Sequence, residues 1–119
     1  MASVNLDISS RLDITCRKND TFSLDLDIKD ASGNALDLTS YTFKMEVRTS
    51  TDDEGSPVIA SANISDTADD SGNLNLTIEA ANMNVSAGTY VYDLQATLSG
   101  VVTTWLYGTF KVNEDVTIT

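Results

Sequence analysis

The 119-residue sequence contains no histidine, one cysteine and one proline. Without histidine the chain cannot build a Ser-His-Asp or Cys-His catalytic arrangement or an imidazole metal site. The single cysteine, Cys16, excludes an internal disulfide and leaves too few thiolates for a zinc site. It continues the alternation of Leu12 and Ile14, so we expect a small buried side chain. These absences favour a protein that is not an enzyme and carries no cofactor.

Basic residues are also scarce. The chain has seven basic and eighteen acidic residues, which gives a net charge of −11. Binding to phosphate backbones needs a basic stripe, so we expect no nucleic-acid partner. No apolar run approaches the roughly 20 residues that span a bilayer, so we expect no membrane partner. The first ten residues lack a basic segment followed by an apolar block, which predicts a protein that is not secreted.

What the sequence does have is alternation of apolar and polar residues, the pattern of strands with one buried face. It occurs at 4–8, 12–16, 22–28, 41–48 and 73–79, and more weakly at 57–65. Clusters of Asp, Ser, Gly and Asn separate these segments and predict turns. The segment 80–88 is long enough only for one helical turn crossing between sheets. The pattern predicts an all-β protein, an antiparallel β-sandwich of seven to eight strands in one domain over 1–119.

The last hairpin, 88–112, contains a conflict of parity. A turn at Ser99-Gly100 places Trp105 and Tyr107 on the inner face, whereas Phe110 lies on the opposite parity and also looks buried. A β-bulge at Gly108 reconciles the two halves, because a bulge shifts the alternation by one residue. The alternative has no bulge and leaves Trp105 and Tyr107 exposed as a binding patch.

The acidic residues allow two further hypotheses. Paired carboxylates can hydrolyse glycosidic bonds, but Asp25 and Asp27 lie in polar surroundings that favour a solvated strand face. The clusters 52–55 and 66–73 crowd acids beside glycine as calcium loops do, yet neither fits the D-x-[DN]-x-[DN]-G pattern. We interpret them as ordinary turns and predict no metal site. The alternative is a calcium site at Asp66, Asp69 and Asp70.

Two segments carry a family resemblance. Residues 14–48 contain Thr-Phe opening a strand, then a D-x-x-G-x-x-x-D-L-T-x-Y turn, then a strand ending in Val-Arg. Residues 86–117 contain Gly-x-Tyr-x-Tyr-Asp, a hairpin, Gly-x-Phe-x-Val and Asp-Val-Thr. Together they resemble the N-terminal immunoglobulin-like domain of phage baseplate upper proteins and related single-domain virion proteins. The segment "AGTYVYD" also resembles the tyrosine-corner strand of immunoglobulin domains, with Tyr92 where those carry a cysteine.

The resemblance implies an immunoglobulin-like sandwich and a non-enzymatic virion structural protein, made in the host cytoplasm. It would act as an adaptor in the tail, neck or baseplate, binding other virion proteins and copies of itself in a symmetric assembly. Capsid decoration is the alternative. A carbohydrate- or receptor-binding adhesion module is the alternative from another class.

The chain ends are the candidate contact segments. Short alternating arms, within 1–10 and 113–119, could add as strands to the open sheet edge of a neighbour. The partner-binding residues predicted on this basis are Val4, Leu6, Val116 and Ile118. The competing interpretation is that both arms pair within their own sandwich as edge strands.

Overall fold

A computed structural model describes residues 2–5, 10–30, 32–50, 55 and 57–115 of the chain. Its described part contains nine strands and two single turns of 3₁₀ helix, at Ser61–Asn63 and Ala80–Asn82. The strands are β1 (Ala2–Asn5), β2 (Ser10–Arg11), β3 (Ile14–Arg17), β4 (Phe22–Lys29), β5 (Thr42–Arg48), β6 (Ser65–Ala68), β7 (Asn73–Ile78), β8 (Gly88–Leu98) and β9 (Val101–Asn113).

The strands form two sheets, and the predicted all-β sandwich is confirmed. One sheet has the order β1-β4-β7-β6; the other has the order β2-β9-β8-β5, with β3 also pairing with β9. This is the ABED-against-GFC order of immunoglobulin domains. The N-terminal strands depart from an all-antiparallel arrangement, because β1 runs parallel to β4 and both β2 and β3 run parallel to β9. The N-terminal segment is divided into three short strands, one on the first sheet and two on the second, which explains why the count reaches nine.

The core lies between the inner faces of the two sheets. Alternation along β4 and β7 buries Leu26, Ile28, Leu74 and Ile78, as the pattern predicted. Phe22 and Phe110 meet edge to face across the sheets, with ring centroids 5.5 Å apart. No charged or polar residue is buried in the part of the chain that the structure describes. The sandwich therefore rests on apolar burial, with no internal charge to compensate.

A tyrosine corner closes the connection into β8. Tyr90 donates its hydroxyl to the carbonyl oxygen of Ser86, four residues upstream, at 2.6 Å. Tyr92, two residues later, is buried where immunoglobulin domains carry the second cysteine. Its ring contacts Phe110 with centroids 6.4 Å apart. Phe110 lies on the neighbouring strand β9, so an aromatic side chain packed within its own sheet occupies the position that the cysteine takes in antibody domains.

The hairpin bulge exists, but the prediction that it lies at Gly108 was wrong. Leu94 pairs with Leu106 and Gln95 with Thr104, so Trp105 is the extra residue. The parity therefore shifts at the tryptophan, and both Trp105 and Leu106 are buried. Trp105 packs against Tyr41 and Phe43, with ring centroids 5.1 and 5.7 Å away. This large aromatic pocket gives the extra residue more burial than the glycine position offers.

The sequence also makes a prediction for two short connections, one before β6 and one after β7. Residues 57–65 do not form the weak strand that we predicted; Ile59 makes an isolated bridge to Val47, and a 3₁₀ turn follows. The small residues Ala60 to Ala62 bury too little to hold a strand against β5. The predicted helical turn after β7 is present at Ala80–Asn82, between strands of different sheets.

Candidate functional site

The four predicted partner-binding residues are only partly placed. Val4 lies in β1 and pairs with Ile28 of β4, so this end of the chain forms an edge strand within its own sheet. Leu6, Val116 and Ile118 lie outside the described residues. The assignment of these four residues to partner binding stays a prediction.

A shallow cleft of about 510 Å³ crosses the outer face of the β5–β8–β9 sheet. Lys44, Glu46 and Arg48 alternate outward along β5, and Asp93 projects from the neighbouring β8. Tyr107 and Arg11 line the opposite side of the cleft. Alternation places all of these side chains on the face opposite the core. The cleft is therefore a polar depression on a sheet surface, with one aromatic wall.

Charged side chains of the cleft lie next to one another on β5 and β8. Arg48 contacts the Glu46 carboxylate at 3.1 Å, and both side chains are partly buried. Burial raises the pKa of Asp93 above its usual range, and the adjacent Glu46 adds to the rise, while Arg48 and Lys44 oppose it. Asp93 stands directly opposite Glu46 in the strand register. Two carboxylates side by side need cations nearby, which Lys44 and Arg48 provide.

The two sheets differ in charge. The strands of the cleft sheet carry five cations (Arg11, Arg17, Lys44, Arg48 and Lys111) and two carboxylates (Glu46 and Asp93), a balance of +3. The strands of the other sheet carry Asp25, Asp27 and Asp66 against Lys29, a balance of −2. A chain of net charge −11 thus concentrates most of its basic residues on one sheet.

Exposed apolar side chains occur at two places. Among the described residues, the large hydrophobic side chains left exposed are Leu98, Val101 and Val102 at the tip of the β8–β9 hairpin, and Tyr107 in the cleft. Val101 is the most accessible, with 65% of its surface exposed, and Tyr107 is 43% exposed. The prediction that Trp105 and Tyr107 both point inward was therefore right for Trp105 and wrong for Tyr107. The shift of parity at Trp105 turns Tyr107 outward.

One end of the cleft is closed by the joint between β2 and β3. The Tyr92 hydroxyl donates to the carbonyl oxygen of Leu12 at 2.5 Å, and burial raises the pKa of that tyrosine. The backbone N–H of Thr109 donates to Asp13 at 3.0 Å and lowers the pKa of this carboxyl group. A Cβ on Gly108 would overlap the Leu12 carbonyl oxygen. Glycine is therefore needed here because another backbone approaches closely, which no local pattern in β9 indicates.

Cys16 does not contribute a reactive group to this surface. Its side chain is half-buried rather than fully buried, and its thiol lies 3.5 Å from the carbonyl oxygen of Lys111. Burial, with a smaller contribution from Asp20, raises the pKa of the thiol to about 11. A thiol with a raised pKa is mostly protonated near neutral pH and is a poor nucleophile.

The acidic turns repeat one motif, D-x-S-G-N, at 30–34 and at 69–73. In both, the first aspartate accepts hydrogen bonds from the backbone N–H of the serine and of the asparagine, at 2.9–3.0 Å. In both, the glycine has a positive φ, +84° at Gly33 and +82° at Gly72. These carboxylates therefore stabilise their own turns.

This geometry bears on the alternative calcium site. Both carboxylate oxygens of Asp69 accept hydrogen bonds within the loop, the second from the Asn73 side chain at 2.8 Å. These bonds lower the pKa of Asp69, with the Asn73 side chain contributing most. Asp66, on β6, instead has a raised pKa because its carboxyl group is partly desolvated. Within the described ranges, no group of three Asp, Glu, Cys or His side chains is placed to hold a metal ion. Of the other acidic cluster, 52–55, only Gly55 is described.

Sequence reasoning found the aromatic hairpin but missed the cleft. The cleft forms because Lys44, Asp93 and Tyr107, which are distant in sequence, meet across three strands. The alternation of Lys44, Glu46 and Arg48 along β5 was a usable signal for a charged outer face. The outward position of Tyr107 depended on where the bulge falls.

Comparisons with known proteins add little. No protein-family model and no curated protein matches the chain in sequence. Among solved structures, an endo-fucoidan hydrolase from glycoside hydrolase family 107 matches with a TM-score of 0.46 and 14% identity. The match covers 98% of this chain and 13% of that chain. Within the described residues, no helix has the length and hydropathy needed to cross a bilayer.

Proposed function

We propose that this chain is a non-enzymatic virion structural protein, an adaptor module of a phage tail, neck or baseplate. Its partners are other virion proteins and copies of itself, and it is made in the host cytoplasm. The supporting observation concerns the residues that carry the resemblance to phage baseplate upper proteins. Asp30 and Gly33 form a closed turn, Asp37 accepts hydrogen bonds from Thr39, and Tyr90 makes the tyrosine corner. Motif residues with these roles favour a shared scaffold over chance similarity.

Capsid decoration uses the same kind of module, so the experiment must separate the two placements. Virions of the phage that encodes the chain are purified, and the chain is quantified by mass spectrometry against the major capsid and tail-tube proteins. A tail, neck or baseplate adaptor is expected at a few to a few tens of copies per particle. Hundreds of copies indicate capsid decoration instead. Absence of the chain from purified virions contradicts both placements.

A second function, binding of a carbohydrate or receptor, is favoured by Tyr107. An exposed tyrosine beside a polar cleft is a common arrangement for stacking against a sugar ring or a partner side chain. The test is a glycan-array and calorimetric screen of the wild type and of Tyr107→Ala. Val91→Thr, a change on the floor of the same cleft that keeps the aromatic ring, is the control. Saturable binding that Tyr107→Ala abolishes supports this function. If no ligand binds, or if both variants bind like the wild type, the cleft is not a sugar site.

A further inference from the structure

The hairpin tip and the cleft are complementary surfaces on one chain. Leu98, Val101 and Val102 form an exposed apolar tip, and Tyr107 is the exposed apolar side chain of the cleft. Contact between tip and cleft would cover every large exposed hydrophobic side chain among the described residues. Exposed apolar clusters on small soluble domains commonly mark contact surfaces.

The charges around the two surfaces are opposite. Thr42 pairs with Thr97 next to the tip, and the backbone N–H of Leu38 donates to the carbonyl oxygen of Asp69. The described parts of the loops 30–41 and 69–72 therefore lie at the same end of the sandwich as the tip. These loops contain Asp30, Asp37, Asp69 and Asp70 and no basic residue. The cleft itself is lined by three cations, Arg11, Lys44 and Arg48, and two carboxylates, Glu46 and Asp93, a balance of +1. Opposite potentials favour encounter and set the orientation of docking.

The same molecule cannot bring its own two surfaces together. Val102 and Tyr107 lie on one strand, five residues apart, which is about 16 Å at 3.3 Å per residue. Strand β9 is hydrogen-bonded along this stretch to β8, so it cannot fold back on itself. A complement for either surface must therefore come from another molecule, and a second copy of this chain offers both surfaces.

We propose that the hairpin tip of one copy, with its acidic loops, docks in the cleft of a second copy. The contact joins two different surfaces, so it is heterologous and builds a ring if the rotation closes, or a filament if it does not. This inference rests on the proposed function as a multi-copy structural protein and names the surfaces that the copies use. It places Lys44 and Tyr107 on one side of the interface and Val101 and Val102 on the other.

The test uses the purified full chain in sedimentation velocity over a range of protein and salt concentrations. The wild type is expected to self-associate as its concentration rises at physiological ionic strength, where salt screens the repulsion between chains of net charge −11. The tip variant, Val101→Thr with Val102→Thr, keeps β-branched residues on the hairpin and removes its apolar surface. The cleft variant combines Lys44→Gln with Tyr107→Thr. Each is expected to raise the dissociation constant about tenfold or more.

A mixture of the two variants gives the decisive result. Each variant retains one intact surface, so the tip of the cleft variant can dock in the cleft of the tip variant. We expect a species with twice the mass of one chain that grows no further. Lys29→Gln, which removes a cation from the other sheet, is the control and should associate like the wild type. Melting temperatures of all variants establish that they are folded.

Three outcomes overturn the proposal: a wild type that stays monomeric at every protein and salt concentration, folded variants that associate like the wild type, or a mixture without the heterodimer. These outcomes are separate from the test of the proposed function. A chain found in virions but monomeric in solution removes this interface alone. A chain that forms the mixed dimer but is missing from virions removes the virion role and leaves the interface standing.

Discussion

The two D-x-S-G-N turns have nearly the same local structure but different surroundings. Asp30 and Asp69 accept equivalent backbone hydrogen bonds, and Gly33 and Gly72 have φ values within two degrees of each other. A Cβ built on Gly33 meets no atom within 4 Å, whereas one on Gly72 would overlap the carbonyl oxygen of Ile28. The same five-residue motif therefore forms one turn that is open to solvent and one that is packed against β4. Local sequence determines the conformation of a turn, and the tertiary contacts determine how much substitution it tolerates.

The largest expected effect separates the two glycines. Gly33→Ala places an L-residue at positive φ and should cost about 1–2 kcal/mol of unfolding free energy. Gly72→Ala adds a backbone clash to the same strain, and we expect about 3 kcal/mol or more. Urea unfolding followed by far-UV circular dichroism measures both. Equal losses for the two variants would show that the contact with Ile28 does not matter.

Gly108 extends the comparison to a site outside any turn. Its Cβ would overlap the Leu12 carbonyl oxygen, so Gly108→Ala should cost about 1–3 kcal/mol and loosen the joint between β2 and β3. Amide hydrogen exchange measures the loosening residue by residue. We expect faster exchange of the Leu12 amide, which donates to the carbonyl oxygen of Tyr107, with the β4–β7 amides unaffected. Protection that is unchanged at Leu12 would count against the close approach.

The carboxylate of the second turn should make the stability of the protein depend on pH. The pKa of Asp69 is lowered in the folded state, so its contribution to stability is present above the unfolded value of 3.8 and is lost as the pH falls through the lower folded pKa. Asp69→Asn should therefore lower the melting temperature at pH 7, and the gap to the wild type should begin to narrow as the pH falls below 3.8. Asp70→Asn is the matched control. A gap that stays as wide in strong acid as at pH 7 would show that the effect does not come from the charge.

The smallest expected effect is a gain in stability, on replacing Asp93 in the cleft. Asp93 has a raised pKa, so its charged form opposes folding, and this penalty is complete at pH values well above its folded pKa. Asp93→Asn should raise stability at pH 7 by less than about 1 kcal/mol, because the group is partly screened by solvent. The gain should fade as the pH is lowered and the wild-type carboxyl group becomes protonated. Thermal unfolding from pH 4 to pH 8 measures it, and a loss of stability at pH 7 would contradict the assignment.

Alternation was enough to predict most of the sandwich. Phe22 to Ile28 and Leu74 to Ile78 repeat the period of two without interruption, and each forms a strand with the predicted face inward. The bulge shows where this reasoning stops. Parity requires one slip between Trp105 and Phe110, but it does not say where, and glycine was the natural local choice. The position is set by the aromatic pocket of Tyr41 and Phe43, which lie at the start of β5 rather than in the hairpin.

The cleft, and the close backbone contacts of Gly72 and Gly108, could not be predicted from the sequence for the same reason. Lys44, Asp93 and Tyr107 are separated by tens of residues and meet only through the order of the strands. The closeness of Leu12 to Gly108 arises from a parallel pairing of β2 with β9 that no turn motif announces. Properties that depend on one segment were predictable, whereas properties that depend on two distant segments required the structure.

Trp105 is the only tryptophan of the chain, and it occupies the bulge between the hairpin tip and Tyr107. The chain therefore carries a built-in optical probe at the midpoint of its two candidate contact surfaces. When tryptophan is excited selectively over the four tyrosines, emission from the folded protein reports on a single, buried indole without labelling. Any partner that strains the hairpin will move this ring against Tyr41 and Phe43. Binding at either surface can then be followed in real time by the wavelength and intensity of that one signal.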